Sequence, residues 1–386
     1  MRLTKEQEKM LSGEEGPAIS KAMEILTALG DIYDAEKLIP IQSAHVSGIS
    51  LRTSGEAGLK FVEDLANKGA KTRVKTTINP AGIDLEDWRE LGAPEDMAKK
   101  QERMIKAYEK MGAEPTCSCI PYLIGNEPTF GKHLAWAESS AVVFANSVLG
   151  AKTNREGAPS ALASALTGLT PKYGYHLKEN RSGTIEIKPD LDLLKGEETF
   201  PYSVLGYWIG EKFPNSVPVI KNIHPNLNQL KSMGAAMATS GAIALFHIPE
   251  VTPEAKNDPS VCETSESAEF NSSDFNEVVE KLDQVSDPDI IFLGCPHFSM
   301  EELREIPSNT KNETWICLPR KIKETIDIKK IESEKVKLIC DTCMVVAPLR
   351  EMGYSSIGVN SAKAAHYAPM LADVKVHFAP MEELIK

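Results

Sequence analysis

Five short apolar runs in the C-terminal part of the chain constrain its fold most: Asp289–Leu293, Thr314–Leu318, Val336–Cys340, Ile357–Val359 and Val374–Phe378. Each is too short for an ordinary helix, and the segments between them are long enough for helical or loop crossovers. Runs of about five apolar residues with polar connections bury both faces, the pattern of a parallel sheet covered on two sides. An α/β class follows. In such sheets ligands bind beyond the C-terminal ends of the strands. Cys295 follows the first run, Cys343 the third and Asn360-Ser361 the fourth.

The earlier part of the chain alternates as well. Residues 17–29 are predicted as a helix stopped at Gly30, 38–46 as extended, and Ser54–Asn67 as a helix stopped at Gly69. Lys71–Ile78 has strand alternation and ends at Asn79-Pro80, and Glu95–Met111 carries Met97, Met104, Tyr108 and Met111 at helical spacing. Residues 134–149 are predicted as one buried apolar helix, whose Glu138, Ser139, Ser140, Asn146 and Ser147 need partners. The Pro-, Glu-, Ser- and Asn-rich stretch 250–275 reads as an exposed loop or boundary. We expect an N-terminal and central α/β region over 1–275 and a C-terminal parallel α/β domain over 276–386.

The net charge of −12 argues against nucleic acid or an anionic membrane as partner, because either needs a basic face. No apolar run approaches the roughly 20 residues of a membrane span. The N-terminus has no apolar core, and Thr4 with Gln7 fits a capping box. Seven cysteines, an odd number, without a signal peptide point to a reducing cytoplasm.

Those cysteines carry the chemistry. Cys117 and Cys119 lie in TCSCIPY, Cys295 in GCPH, and Cys340 and Cys343 in CDTC. Thiols gathered from distant segments are how a chain encloses a metal or iron–sulfur group. Both Cys117 and Cys119 on one metal would be strained, so one ligand is expected from that pair. Cys-x-x-Cys has zinc and redox readings, and both stay open here. A thiolate at Cys295 is expected to be favoured by the helix that starts after it, with Ser299 and Glu302 as capping box. Cys262 and Cys317 read as small buried hydrophobes.

Small-residue and polar loops complete the candidates. Gly48, Ile49 and Ser50 precede a helix and can offer N–H groups to a phosphate, with Arg52 as an added cation. Asn79-Pro80 ends the neighbouring strand. Arg155, beside Asn154 and Glu156, can clamp a carboxylate or pair with its own neighbour. His45, His133, His224 and His297 are possible acid–base groups, but no spacing makes them a zinc site.

SAHVSGIS, TTINPAG, TCSCIPYL, GKHLAWAESSAVVFANSVLGAKTNREG, GCPHFS and CDTCMVVAP together resemble the aconitase X family, along essentially the whole chain. The resemblance implies an aconitase-like multi-domain architecture with parallel, Rossmann-like sheets, lacking the swivelling domain. It is strongest to the archaeal branch and implies a hydro-lyase that dehydrates (R)-5-phosphomevalonate to trans-anhydromevalonate 5-phosphate in the mevalonate route to isoprenoids. It further implies a [4Fe–4S] cluster on Cys119, Cys295 and Cys343, with one iron left open. Gly48, Ile49, Ser50, Asn79 and Pro80 correspond to its phosphomevalonate-binding segments, and Asn154 and Arg155 are candidate carboxylate contacts. A separate small subunit is expected to complete a heterodimer, bringing the swivelling domain and a catalytic serine, since no base is evident in this chain. The rival expectations are a family dehydratase acting on hydroxyproline or another hydroxy acid, and a zinc or thiol-redox binding protein.

Overall fold

All five C-terminal runs become strands of one parallel sheet, in the order Val336–Ile339, Thr314–Cys317, Ile290–Leu293, Ser356–Val359, Lys375–Phe378. This is a computed structural model, and it describes residues 1–306 and 310–386. Order reverses at Ile290–Leu293, so the connections leave a crevice beside the strand that precedes Cys295.

Two further parallel sheets precede it. Ser43–Ser47 lies between Lys75–Asn79 and Ala135–Trp136, with Ser47 opposite Asn79. Ile185–Pro189 lies between Pro218–Ile220 and Ser267–Phe270. The helices Phe200–Lys212 and Leu227–Gly241 pack against each other so closely that a Cβ on Gly210 would stand 2.8 Å from the Met237 carbonyl oxygen. A single apolar core joins these helices to the C-terminal sheet, through Tyr207, Met237, Phe292, Trp315 and Val359 among others. Among the described residues no helix is long and apolar enough to cross a membrane.

Local expectations fail in four places, each for a tertiary or capping reason. The segment 134–149 is not one helix: Ala135–Trp136 pairs with Ala44–His45 as a strand, and Glu138 caps a shorter helix, Ser139–Ser147. Pro17–Ile32 runs through Gly30. The third helix is capped by Ser50, not Ser54, and spans Leu51–Asn67 with a non-helical Gly55. The stretch 250–275 holds the helix Pro253–Asn257 and the strand Ser267–Phe270, so its polar composition marks a solvated edge strand and not an unstructured loop.

Candidate active site

Three cysteine loops meet beyond the strand ends. Cys119 lies within electrostatic reach of Cys295, Cys295 of Cys343, and Cys343 of Cys119. His297 fastens the loops together: its backbone N–H donates to the Cys119 Sγ at 3.1 Å, its Nδ1 lies 3.1 Å from the Ser118 hydroxyl, and its Nε2 lies 2.9 Å from the Thr342 carbonyl. Burial holds the His297 pKa down to about 4, so at neutral pH the ring is a structural strut and not an acid.

The other cysteines face elsewhere. Cys117 packs into the N-terminal core, and Cys340 into a separate apolar cluster against the opposite face of the C-terminal sheet. Cys317 is fully buried beneath the site, whereas Cys262 is only half-buried. Burial pushes the thiols of Cys119 and Cys295 up to about 12 and that of Cys343 to about 11. The helix after Cys295 does not offset this. It is only the five residues Met300–Arg304, although Ser299 and Glu302 do form its capping box.

Positive charge comes instead from Lys363, which the sequence patterns did not reveal. It sits in the first turn of Ala362–Leu371, after the capping Ser361 whose hydroxyl reaches Cys295. Its ammonium donates to Glu138 Oε1 at 2.5 Å and to the Ser139 hydroxyl at 3.3 Å. Burial works against its charge, but the Glu138 carboxylate foremost, with the neighbouring cysteines, more than offsets this and leaves its pKa raised. Glu138 receives 2.6 Å bonds from the Ser140 hydroxyl and the Ala141 N–H as well. These donors, with Lys363, outweigh burial and keep its carboxyl below the usual range. A lysine just after a polar strand end, Asn360-Ser361, was the available signal.

The loops carrying Gly48–Ser50 and Asn79-Pro80 meet each other, and Ala81 ties the second to Asp341. The Gly48 N–H donates to the Asn79 carbonyl at 3.1 Å, and Gly48 has a φ of +87°, which favours glycine. Gln101, fully buried, donates to the Ile49 carbonyl at 3.1 Å and accepts from the N–H groups of Leu51 at 2.8 Å and Gly82 at 3.1 Å. Gln101 lies in line with Met97, Met104 and Tyr108, and a polar residue inside that apolar stripe was the sequence signal for its role. Among the described residues the backbone N–H groups of Ile49 and Ser50 make no hydrogen bond. They stand just before a short first turn, Leu51–Ser54, which the non-helical Gly55 separates from the rest of the helix. The Ser50 hydroxyl itself caps that helix, accepting from the Thr53 N–H at 3.2 Å.

Several candidates are differently engaged. Arg52 is bound bidentately to Glu351 at 2.8 and 2.9 Å and to the Leu371 carbonyl, so it ties the third helix to the C-terminal domain instead of facing an anion. Asn154 uses its amide on the Tyr173 carbonyl at 3.1 Å and the Tyr175 N–H at 2.8 Å, as a structural brace. Arg155 is exposed, with neither a hydrogen bond nor a salt bridge among the described residues; Glu156 is buried and leans to Thr170 instead. His45 is buried with its pKa lowered to about 4, burial likewise lowers His133, and His224 is exposed. Four buried polar atoms lack partners around these loops and strands: Tyr122 Oη, Thr342 Oγ1, Asn79 Oδ1 and His45 Nε2. Among the described residues no three His, Cys, Asp or Glu side chains converge on a point suited to a single metal ion. A cavity of about 760 Å³ reaches Phe298 and Asn360 and is lined by Glu197, Glu198, Glu302, Glu305 and Glu382 together with Lys311 and Lys386.

Three parallel sheets, with Cys295 and Cys343 in loops at strand ends of the C-terminal one and Cys119 brought beside them, define an aconitase-type architecture, and the chain belongs to the aconitase X family. The family's first-domain profile matches residues 1–179, its second 183–280 and its third 288–386. The chain is 48% identical to the phosphomevalonate dehydratase large subunit of Methanocaldococcus jannaschii, covering 100% of both. It matches the crystal structure of Thermococcus kodakaraensis aconitase X (holo-form) with a TM-score of 0.91 at 42% identity, covering 100% of this chain and 99% of that one. It is also 34% identical to the cis-3-hydroxy-L-proline dehydratase of Pseudomonas aeruginosa, covering 98% of this chain and 68% of that protein.

Proposed function

We propose that this chain is the large subunit of a hydro-lyase that dehydrates (R)-5-phosphomevalonate to trans-anhydromevalonate 5-phosphate. The observation that carries the reading is the full-length identity of 48% to a phosphomevalonate dehydratase large subunit, joined to the backbone N–H groups of Ile49 and Ser50, which make no hydrogen bond among the described residues. The hydroxyproline dehydratase is more distant, at 34%.

A [4Fe–4S] cluster on Cys119, Cys295 and Cys343 fits the residues present. Each thiol lies within electrostatic reach of the other two. In such a cluster each sulfur takes a different iron. The unpartnered Tyr122 and Thr342 hydroxyls beside Cys119 and Cys343 are buried polar atoms that a bound group would satisfy. When bound, the cluster supplies a Lewis acid, through an iron with no protein ligand.

The chain's own residues then have separate tasks. Lys363, kept charged by Glu138, offsets the negative charge of the thiolates. The free Ile49 and Ser50 N–H groups bind the phosphate, with Asn79 beside them. Gln101 fixes the loop that presents them. Arg155, which makes no ion pair among the described residues, is the candidate cation for the carboxylate. Removing the proton from the CH₂ group falls to a serine of a small subunit, in keeping with the relatives' designation as large subunits and with the greater length of the hydroxyproline enzyme.

The test is anaerobic co-expression with a small subunit encoded in the same genome, followed by iron and sulfide analysis and turnover assays. Dehydration of phosphomevalonate only by the complex is expected. Preferential turnover of cis-3-hydroxyproline, or stoichiometric zinc without iron, would overturn the assignment.

A further inference from the structure

We propose that Arg320 is a positioning residue: it sets the loop carrying Cys343 in register with the loop carrying Asn79 and Pro80. The inference rests on the function proposed above for what those loops hold, but its geometry stands alone. The two loops are about 260 residues apart in sequence, and they leave the ends of strands in different sheets, Lys75–Asn79 and Val336–Ile339.

Arg320 follows the strand Thr314–Cys317 and projects between them. Its Nη2 donates to Asp84 Oδ1 at 2.7 Å and to Asp341 Oδ2 at 2.5 Å, and its Nε donates to the same Asp341 oxygen at 3.0 Å. Asp84 closes the TTINPAGID segment, and Asp341 lies inside CDTC. Each carboxylate also grips the opposite loop. Asp84 Oδ2 accepts from the Cys340 N–H at 2.8 Å, and Asp341 Oδ2 accepts from the Leu85 N–H at 3.2 Å. The Ala81 N–H, immediately after Pro80, donates to the Asp341 carbonyl at 2.8 Å.

Burial and backbone make this junction exacting. Asp84 is 1% exposed and Asp341 2%, so both carboxylates depend on one guanidinium for charge balance. Asp341 has a φ of +65°, a left-handed conformation uncommon outside glycine but one that aspartate adopts more readily than most residues. That turn re-aims the chain so that Cys340 enters the apolar cluster while Cys343 faces the other thiols. Arg320 Nη1 also pairs with the exposed Glu86 at 2.6 Å, and a planar fork reaching three carboxylates is a task lysine cannot reproduce.

The test compares Arg320→Lys and Arg320→Gln with Glu324→Gln, an exposed site on the same short helix. Two readouts are taken. Native-state alkylation of Cys343, followed by mass spectrometry on the cluster-free chain with Cys262 as internal reference, reports loop position. Turnover per iron-loaded complex, with the small subunit present and well below the melting temperature, reports register at the reacting centre. In Arg320→Lys we expect Cys343 alkylation to quicken, and kcat/KM per loaded enzyme to fall by about tenfold or more, as misplacement of reacting groups does. Glu324→Gln should match the wild type in both. If Arg320→Gln does not fold, Arg320→Lys decides. Wild-type alkylation and wild-type kcat/KM in Arg320→Lys, with only the melting temperature lowered, would reduce the arginine to a stability role and overturn the proposal. If the wild-type complex fails to dehydrate phosphomevalonate, the functional reading falls, while the alkylation comparison still judges Arg320.

Discussion

Replacing Lys363 by methionine should leave Glu138 without its counter-ion in a site where both side chains are nearly dry, 12% and 7% exposed. Breaking a buried pair by removing one partner costs about 3–5 kcal/mol, because the surviving charge is uncompensated. The structure narrows that range. Ser140 and Ala141 still serve Oε2, but Oε1 loses its ammonium donor at 2.5 Å. Glu138 can escape by taking up a proton, and raising its pKa from 4.5 to neutrality costs about 3 kcal/mol at about 1.4 per unit. Both routes give about 3 kcal/mol near pH 7. Glu138→Gln should cost a similar amount by stranding the ammonium. The double variant removes both charges and should cost far less than the sum, a coupling of at least about 2 kcal/mol in a double-mutant cycle. Urea unfolding followed by tryptophan fluorescence, on the cluster-free chain at pH 7.5, measures all four corners. The pH dependence supplies a sign. A carboxyl held below its unfolded pKa contributes stability above that unfolded value and loses it as pH falls, so the penalty of Lys363→Met should shrink toward pH 4. Additive single costs, or a Lys363→Met cost under about 0.5 kcal/mol, would refute this account of the pair.

Serine replacement of Cys119, Cys295 or Cys343 should each abolish iron binding in anaerobically reconstituted protein, whereas replacement of Cys262 or Cys317 should leave iron stoichiometry unchanged; retained iron in any of the first three removes that residue from the ligand set. Gln101→Leu keeps the volume but strands the Ile49 carbonyl and the N–H groups of Leu51 and Gly82, so it should cost about 3 kcal/mol in urea unfolding and raise KM for phosphomevalonate. His45 and His176 are held by burial to about 4 and about 3, so each favours the neutral ring in the folded state. Their contribution is complete above the unfolded histidine pKa and declines as pH falls from about 6.5 toward 4, by up to about 1.4 kcal/mol per pH unit each. Urea midpoints measured between pH 7 and pH 5 should fall accordingly, and His45→Asn should flatten the slope.

Much of the C-terminal domain was legible because its signal is local. A strand buried on both faces has to be apolar throughout, so all five runs fall within a residue or two of the observed strands. The apolar segment 134–149 failed by the same logic: burial requires apolar residues in a strand and in a helix alike, and only the pairing of Ala135–Trp136 with Ala44–His45 separated the two. Arg52 was misjudged because a cation near a candidate phosphate loop looks the same in sequence whether or not a carboxylate some 300 residues away has claimed it. Lys363 and Glu138 were invisible as a pair for that reason, though each lies in a segment already marked as polar within an apolar setting.

The amino-acid sequence by itself determined the α/β class, the strand ends at which a site must lie, and the cysteine-bearing loops placed there, because these follow from periodicity and residue chemistry within short windows. Its motifs also proposed which thiol in each loop matters. Only the tertiary structure decided what surrounds those thiols: Lys363 as their cation, His297 as a neutral strut, Gln101 behind the Gly48–Ser50 loop, and Arg320 between Asp84 and Asp341. Each of these joins segments remote in sequence, and desolvation and ion pairing depend on distances that no local pattern encodes.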